Sequence, residues 1–285
     1  MRPVVLDFDR SVNLPEAQVI DLGDWQEAIR FGCSKRELER IDASLPESLG
    51  QTLEPVFFGS GDFHHLSLPL IRRAARRGPC RVVVFDNHPD NMRFVAGIHC
   101  GSWVSHVAAL PGVSRVDVVG ITSADVSASR LWENRWWPLL RGSVHYWCIG
   151  IDTRWAQRLG MGASFHSFST MQELETAFFE SMKNDDTAIY LSIDKDALHP
   201  DVARTNWDQG LMREETLLRA IELFKPRLCG MDVTGEVSAY HYRTPWKRWL
   251  SSVDGQVELD PLEVQQWQAD QTALNRRLIA ALSAQ

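Results

Sequence analysis

The chain has 285 residues, 44% of them apolar and 24% charged, a globular composition that excludes a disordered or fibrous protein. Lys and Arg number 30 against 37 Asp and Glu; the resulting charge of -7 argues against a nucleic-acid binder or a protein held on an anionic membrane, because both need surplus cations. Five cysteines are too sparse for a disulfide framework, the opening MRPVVLDFDRS lacks the apolar core of a signal peptide, and no run approaches the roughly 18 apolar residues of a membrane span, so a soluble cytoplasmic protein is expected.

In chain order, short apolar and β-branched runs predict strands at Pro3–Leu6, Pro55–Phe58, Arg81–Phe85, Val116–Gly120, Val144–Ile149, Ala188–Ile193 and Arg227–Met231. Apolar residues three to four apart predict helices between them. One covers Leu66–Arg77 and stops at Gly78-Pro79; others cover Thr170–Lys183 and Glu214–Phe224. Strands alternating with helices imply βα units and a mostly parallel sheet. No repeat, low-complexity tract or Ser/Gly linker requires a cut, so one α/β domain is expected over residues 1–285. Apart from the strand that begins at Val144, the Trp-rich stretch 132–147 and the tail after Ser238 are the least legible parts of the chain. Arg72, Arg73, Arg76 and Arg77 read as a solvated helix face, and Trp136-Trp137-Pro138 as core packing, with an interface or lid as the other reading.

Ligands of parallel sheets bind at the carboxyl ends of strands. Three predicted strand ends carry metal-ligating residue types. RVVVF runs into Asp86-Asn87-His88-Pro89-Asp90, where Asp86, His88 and Asp90 alternate and can converge on one point. AIYLSI runs into Asp194-Lys195-Asp196, and PVFF into the glycine-rich GSGDFHH, which delivers His64 and His65 to a helix start. A DxD alone is common as a helix cap or turn. Three such clusters after three buried strands are not idle, because unpaired polar groups are costly there. Four carboxylates and two imidazoles form a hard donor set suited to Mn(II). No cysteines stand in a CxxC spacing for a thiolate zinc site.

These segments resemble the arginase/agmatinase (ureohydrolase) family. GSGDFHH (59–65), DNHPD (86–90), IHCG (98–101), SIDKDALHP (192–200) and GEVS (235–238) fall in that family's order over about residues 55–240, and SFHSFST (164–170) resembles a segment preceding a family helix. The resemblance implies a three-layer arginase-like α/β fold, two Mn(2+) per chain and a homo-oligomer. His64, Asp86, Asp90 and Asp194 would hold one ion, and Asp86, His88, Asp194 and Asp196 the other. His64 is preferred to His65 because Leu66 then takes the family's apolar helix position. His99 matches the family's proton-shuttle histidine, and Glu236 the carboxylate that receives a guanidinium.

Two Mn(II) ions about 3.5 Å apart acidify a bridging water, and the hydroxide would attack a planar C–N carbon. Four aspartates, the hydroxide and Glu236 leave such a site negative, which favours a small cationic substrate carrying a guanidino, amidino or formimino group. The chain departs from the family at Asn87, Cys100, Met92, His199 and the stretch Thr205–Gly210, where Trp207 suggests a reshaped entrance; arginine itself is not expected as the substrate. Two other readings are a catalytically silent metal- or partner-binding member of the same fold, and a haloacid-dehalogenase-like phosphatase whose VVLDFDRS would use Asp7 as nucleophile and Asp9 as acid/base.

Overall fold

The computed structural model describes residues 2–253 and 261–284. Its strands are β1 (Val4–Asp7), β2 (Gln18–Asp21), β3 (Gly32–Cys33), β4 (Pro55–Phe57), β5 (Cys80–Phe85), β6 (Ile98–His99), β7 (Val113–Ile121), β8 (Val144–Ile149), β9 (Phe165–Phe168), β10 (Ala188–Asp194) and β11 (Leu228–Thr234). Nine of them form one sheet in the order β2-β1-β4-β11-β10-β5-β7-β8-β9, and every pairing in it is parallel. β3 and β6 make a separate two-stranded antiparallel ladder.

Alternation along the strands separates two cores. Val82 and Val84 of β5 face one layer, and Val83 and Phe85 face the other. The first layer is closed by the helices Lys35–Ser44 and Ser67–Arg77 through Leu38, Ile41, Leu70, Ile71 and Ala74. The second is closed by Met171–Met182, Glu214–Phe224 and Pro261–Ser283, which bury Phe178, Phe179, Leu217, Ile221, Leu274 and Leu278. The result is the expected three-layer α/β fold. No helix among the described residues is long and apolar enough to cross a membrane.

The chain order places the site. From β5 the sheet grows outward through β7, β8 and β9; β10 and β11 then return to fill the gap between β5 and β4. Direction reverses there, and such a reversal opens a crevice at the carboxyl ends of the strands. Ile193 pairs with Phe85 and Asp194 with Thr234, so β5, β10 and β11 end at one level.

The seven predicted strands all form, some with longer ends: β7 spans Val113–Ile121 and β11 Leu228–Thr234. The first predicted helix begins one residue late, at Ser67, after a 3-10 turn over Gly61–Leu66. SFHSFST contains β9, an element the resemblance had set before a helix. Arg72 and Arg73 do not form a solvated face: both bind Asp42, at 2.6 and 2.8 Å, while Arg77 binds the carbonyls of Gly50 and Cys229. Of Trp136-Trp137-Pro138, Trp136 packs against the core as expected, but Trp137 is exposed, lying beneath the Arg141 guanidinium at 4.3 Å, and Trp132 is exposed as well.

Candidate metal centre

Three strand ends converge. After β4, the Ser60 hydroxyl caps the 3-10 turn by accepting the Asp62 N–H at 3.3 Å, and the turn carries His64 inward. Arg30, fully buried, steadies this loop: its Nε donates to Asp62 Oδ2 at 2.7 Å and one terminal nitrogen donates to the Ser60 hydroxyl and the Ser238 carbonyl. After β5, Asp90 takes a left-handed φ of 45°, uncommon outside glycine, and its Oδ2 accepts the Trp103 indole N–H at 2.6 Å. After β10, the Asp194 side chain caps the next turn, accepting the Asp196 N–H at 3.1 Å.

His64 Nδ1 lies 3.2, 3.1 and 3.3 Å from carboxylate oxygens of Asp86, Asp90 and Asp194. His88 Nδ1 lies 2.9 Å from Asp196 and 3.5 Å from Asp86. Two groups therefore stand side by side, His64–Asp86–Asp90 and Asp86–His88–Asp196, sharing Asp86. His65 is buried elsewhere; burial, with the nearby His99, pushes its imidazole well below the usual range.

The tautomer of His64 follows from a proton count. The Ser192 hydroxyl donates to Asp232 Oδ1 at 2.6 Å, so it accepts from His64 Nε2 at 3.0 Å. Asp232 is held in turn by the Ser67 hydroxyl and, at 2.6 Å, by the Tyr190 hydroxyl. Nδ1 of the neutral ring is then an acceptor pointing at three carboxylates. His64 Nδ1 and Asp86 Oδ2 are both buried and without hydrogen-bond partners. Acceptors facing one another inside a protein are tolerated only with a cation or a proton between them, and two imidazoles with four carboxylates suit a hard divalent ion.

Without an ion, protons carry that load. Burial opposes charge on Asp86, but hydrogen bonds from His64 and His88 outweigh it and hold its carboxyl below the usual range. Burial, with the neighbouring Asp86 charge, raises Asp90 to about 7. Burial also raises Asp194 to about 6 and, helped by Asp194 and Asp86, lifts Asp196 well above its ordinary value. Burial works against protonation of His64 and His88, yet the carboxylates around each hold both well above theirs.

A cavity of about 330 Å³ opens over these groups. Phe31, stacked at 6.2 Å on Trp207, forms one wall with His99; Asp125 and Arg130, paired at 2.7 Å, stand among the other lining residues. Trp207 thus does line the entrance. His99 is buried against Phe31 and Phe94, its Nδ1 accepts the Gly101 N–H at 3.0 Å, and burial depresses it to about 4. Glu236, expected to meet the substrate, is not among the lining residues: Lys195 pairs with its carboxylate, and Asn275 donates to it at 2.6 Å. Asp7 and Asp9 do not line the cavity either. Arg10 holds Asp7 at 2.8 Å, and the Ser11 and Ser238 hydroxyls hold Asp9. That placement removes the basis for a phosphatase nucleophile.

Sequence reasoning missed Asp208, whose Oδ1 lies 2.8 Å from His88 Nε2 and whose backbone carbonyl and Oδ2 accept from Asn87. It also missed Ser192 and Asp232. A buried acid in mid-strand, as in LCGMDVT, was the available signal for Asp232.

A parallel α/β sheet with an acidic, histidine-bearing cleft at its switch point is the arrangement of an α/β protein suited to holding divalent ions. The chain belongs to the arginase family: that family's sequence model matches residues 3–242. An uncharacterised protein of Thermotoga maritima is 28% identical over 222 residues, covering 78% of this chain and 71% of its own. Among solved structures, the arginase of Bacillus subtilis superposes with a TM-score of 0.55 at 13% identity, over 100% of this chain and 99% of the other. The formiminoglutamase of Trypanosoma cruzi, solved with Mn(2+), gives 0.53 at 11% identity, over 88% and 72%. Identities this low carry the fold alone.

Proposed function

We propose that the protein is a binuclear manganese-dependent hydrolase of a C–N bond in a small guanidino, amidino or formimino compound. His64, Asp86, Asp90 and Asp194 would hold one ion, and Asp86, His88, Asp194 and Asp196 the other. The observation that carries this reading is the pair of adjacent ligand groups sharing Asp86 on the floor of an open cavity. When bound, the two ions would supply a water acidified to near neutral pH as the nucleophile.

The chain's own residues set the rest. The lining includes six aspartates and a single arginine, so even with two dications it would stay slightly negative, which favours a cationic, planar substrate. Phe31 and Trp207 offer faces on which such a plane can stack. His99, neutral at pH 7 and with Nδ1 occupied by the Gly101 N–H, would hold its proton on Nε2 and act as a donor toward the leaving nitrogen. Glu236 would serve by fixing Lys195 between the two ligating aspartates rather than by binding substrate.

Elemental analysis of protein prepared with added Mn(II) is the first test. About two Mn per chain, as a two-metal site requires, lost in Asp86→Asn or Asp194→Asn, would support the site, and urea or ammonia release from a guanidine panel would then identify the substrate class. Absence of stoichiometric metal would overturn the reading. Full loading with no hydrolysis of any guanidine, amidine or formimino compound would favour the silent metal-binding member.

A further inference from the structure

A second cavity, of about 280 Å³, lies behind the loop that joins Asp90 to β6. Lys35, His106 and Arg135 line it together with Phe94, Val95, Ala96 and Gly97, and no carboxylate is among the lining residues. Arg135 Nε and His106 Nε2 are both buried and have no hydrogen-bond partner. Neither Arg135 nor Lys35 forms an ion pair with any described residue, although the chain carries more acids than bases. Of the acids nearest in sequence, Glu37 is turned away to the Ser34 N–H at 2.8 Å in a capping box, and Glu133, two positions before Arg135, is not among the lining residues. Buried nitrogens without partners are costly, so two of them around one cavity, with the exposed Lys35 ammonium at its rim, call for an anion. Burial, with the charges of Arg135 and Lys35, depresses His106 to about 4, which places the three groups in one electrostatic neighbourhood.

We propose that this cavity binds a phosphate-class oxyanion. A tetrahedral dianion matches the donors: a planar guanidinium, a mobile ammonium and an imidazole N–H delivered from three separate segments. The site does not depend on the hydrolase reading, yet it reports to the same region. Phe94 makes an edge contact with the His99 ring at 4.5 Å, the Arg135 N–H donates to Asn91 O at 3.0 Å, and Lys35 follows β3, whose Gly32 pairs with His99. An anion bound there would tie loop 93–97 to all three segments and hold the His99 wall in place.

Calorimetric titration of the full chain with inorganic phosphate at fixed ionic strength tests the proposal, with chloride as control. Saturable binding is expected. Lys35→Met should weaken it about tenfold, the loss of one charge-assisted contact, and Arg135→Gln should abolish it. Asp86→Asn, which disables the metal cluster, should leave it intact. Because Lys35 is exposed, its variant folds even if that of Arg135 does not. Glycerol phosphate forms the second arm. Equal binding would identify a phosphomonoester as the natural ligand, and binding of inorganic phosphate alone would identify the free ion. No binding of phosphate by the wild type, equal binding by Lys35→Met, or loss in Asp86→Asn alone would each overturn the proposal.

Discussion

Ser192 has one proton to give, and giving it to Asp232 fixes the proton of a neutral His64 on Nε2, which leaves Nδ1 as the atom that would face a metal ion among the carboxylates. Partners of this kind, behind a ligating imidazole, typically govern metal affinity by 10- to 100-fold. Ser192→Ala should therefore weaken Mn(II) binding by about that factor while the chain stays folded, measured by competition with a chelator. Gly235 is constrained more severely. Its φ is +90°, and a Cβ there would lie 2.5 Å from Asp194 Oδ1 and 2.7 Å from the Lys195 nitrogen. Gly235→Ala should push Asp194 aside and lower both stability and metal stoichiometry, the latter read by elemental analysis. The candidate ligands were legible because each ends a strand of buried apolar residues, where an acid is conspicuous. The partners were not. Lys195 and Glu236 stand 41 positions apart, and His88 and Asp208 stand 120 apart, so nothing local marks them as pairs. Asn87 is intelligible only afterwards: it departs from the family's pattern because its amide ties Asp208 and Thr122 together beneath His88.

At the scale of elements, legibility followed burial pattern. β5 is buried along its whole length and β10 from Ile189 onward, and both announce themselves as apolar runs. β2, QVID, lies at the sheet edge with an almost wholly exposed pattern and carries no such signal. The helix Pro261–Ser283 was missed for a different reason. Its buried face mixes Leu274, Leu278 and Leu282 with fully buried Gln271 and Asn275, which breaks the apolar period. Those polar groups are there for the site: Gln271 donates to the Gly235 carbonyl at 2.8 Å, and Asn275 to Glu236. Leu274→Ala should cost about 2–5 kcal/mol in urea unfolding and also reduce metal uptake, because it loosens the helix that braces residues 235–236. Thr170→Ala removes a capping box with Glu173 on the helix Met171–Met182. It should cost about 1 kcal/mol and leave metal uptake unchanged, which separates general destabilisation from damage to the site.

For the molecule as a whole, the site couples stability to pH. Asp90, Asp194 and Asp196 hold their protons more tightly folded than unfolded, and so do His64 and His88. The metal-free cluster therefore binds more protons folded than unfolded, and its contribution to stability falls as pH rises through the windows of these groups, past about 7 for Asp90. His65, His99 and His106, depressed by burial, act in the opposite sense up to the ordinary histidine range. Asp86 has the opposite sign, but its contribution is already complete above the ordinary carboxylate range. Divalent ions must displace the same protons, so their affinity rises with pH. Thermal unfolding should show a Tm that falls above about pH 7 in chelator-treated protein and a stabilisation by Mn(II) that grows between about pH 5 and pH 8. A Mn(II) effect that shrinks with pH would contradict the protonation pattern of the ligand cluster.

The strand order also governs when the protein can become itself during synthesis. β4 pairs with β11, joining residues 55–57 to 231–233, and β11 closes the middle of the sheet rather than its rim. Until residue 234 has left the ribosome, the inner edges of β4 and β10 have no neighbour, and both are built from residues suited to pairing with any passing strand. With its decisive contacts this far apart along the chain, the sheet is expected to close slowly and late. A nascent chain halted before β11 would carry the aspartates and histidines of DNHPD and SIDKD without the strand that completes the sheet beside them.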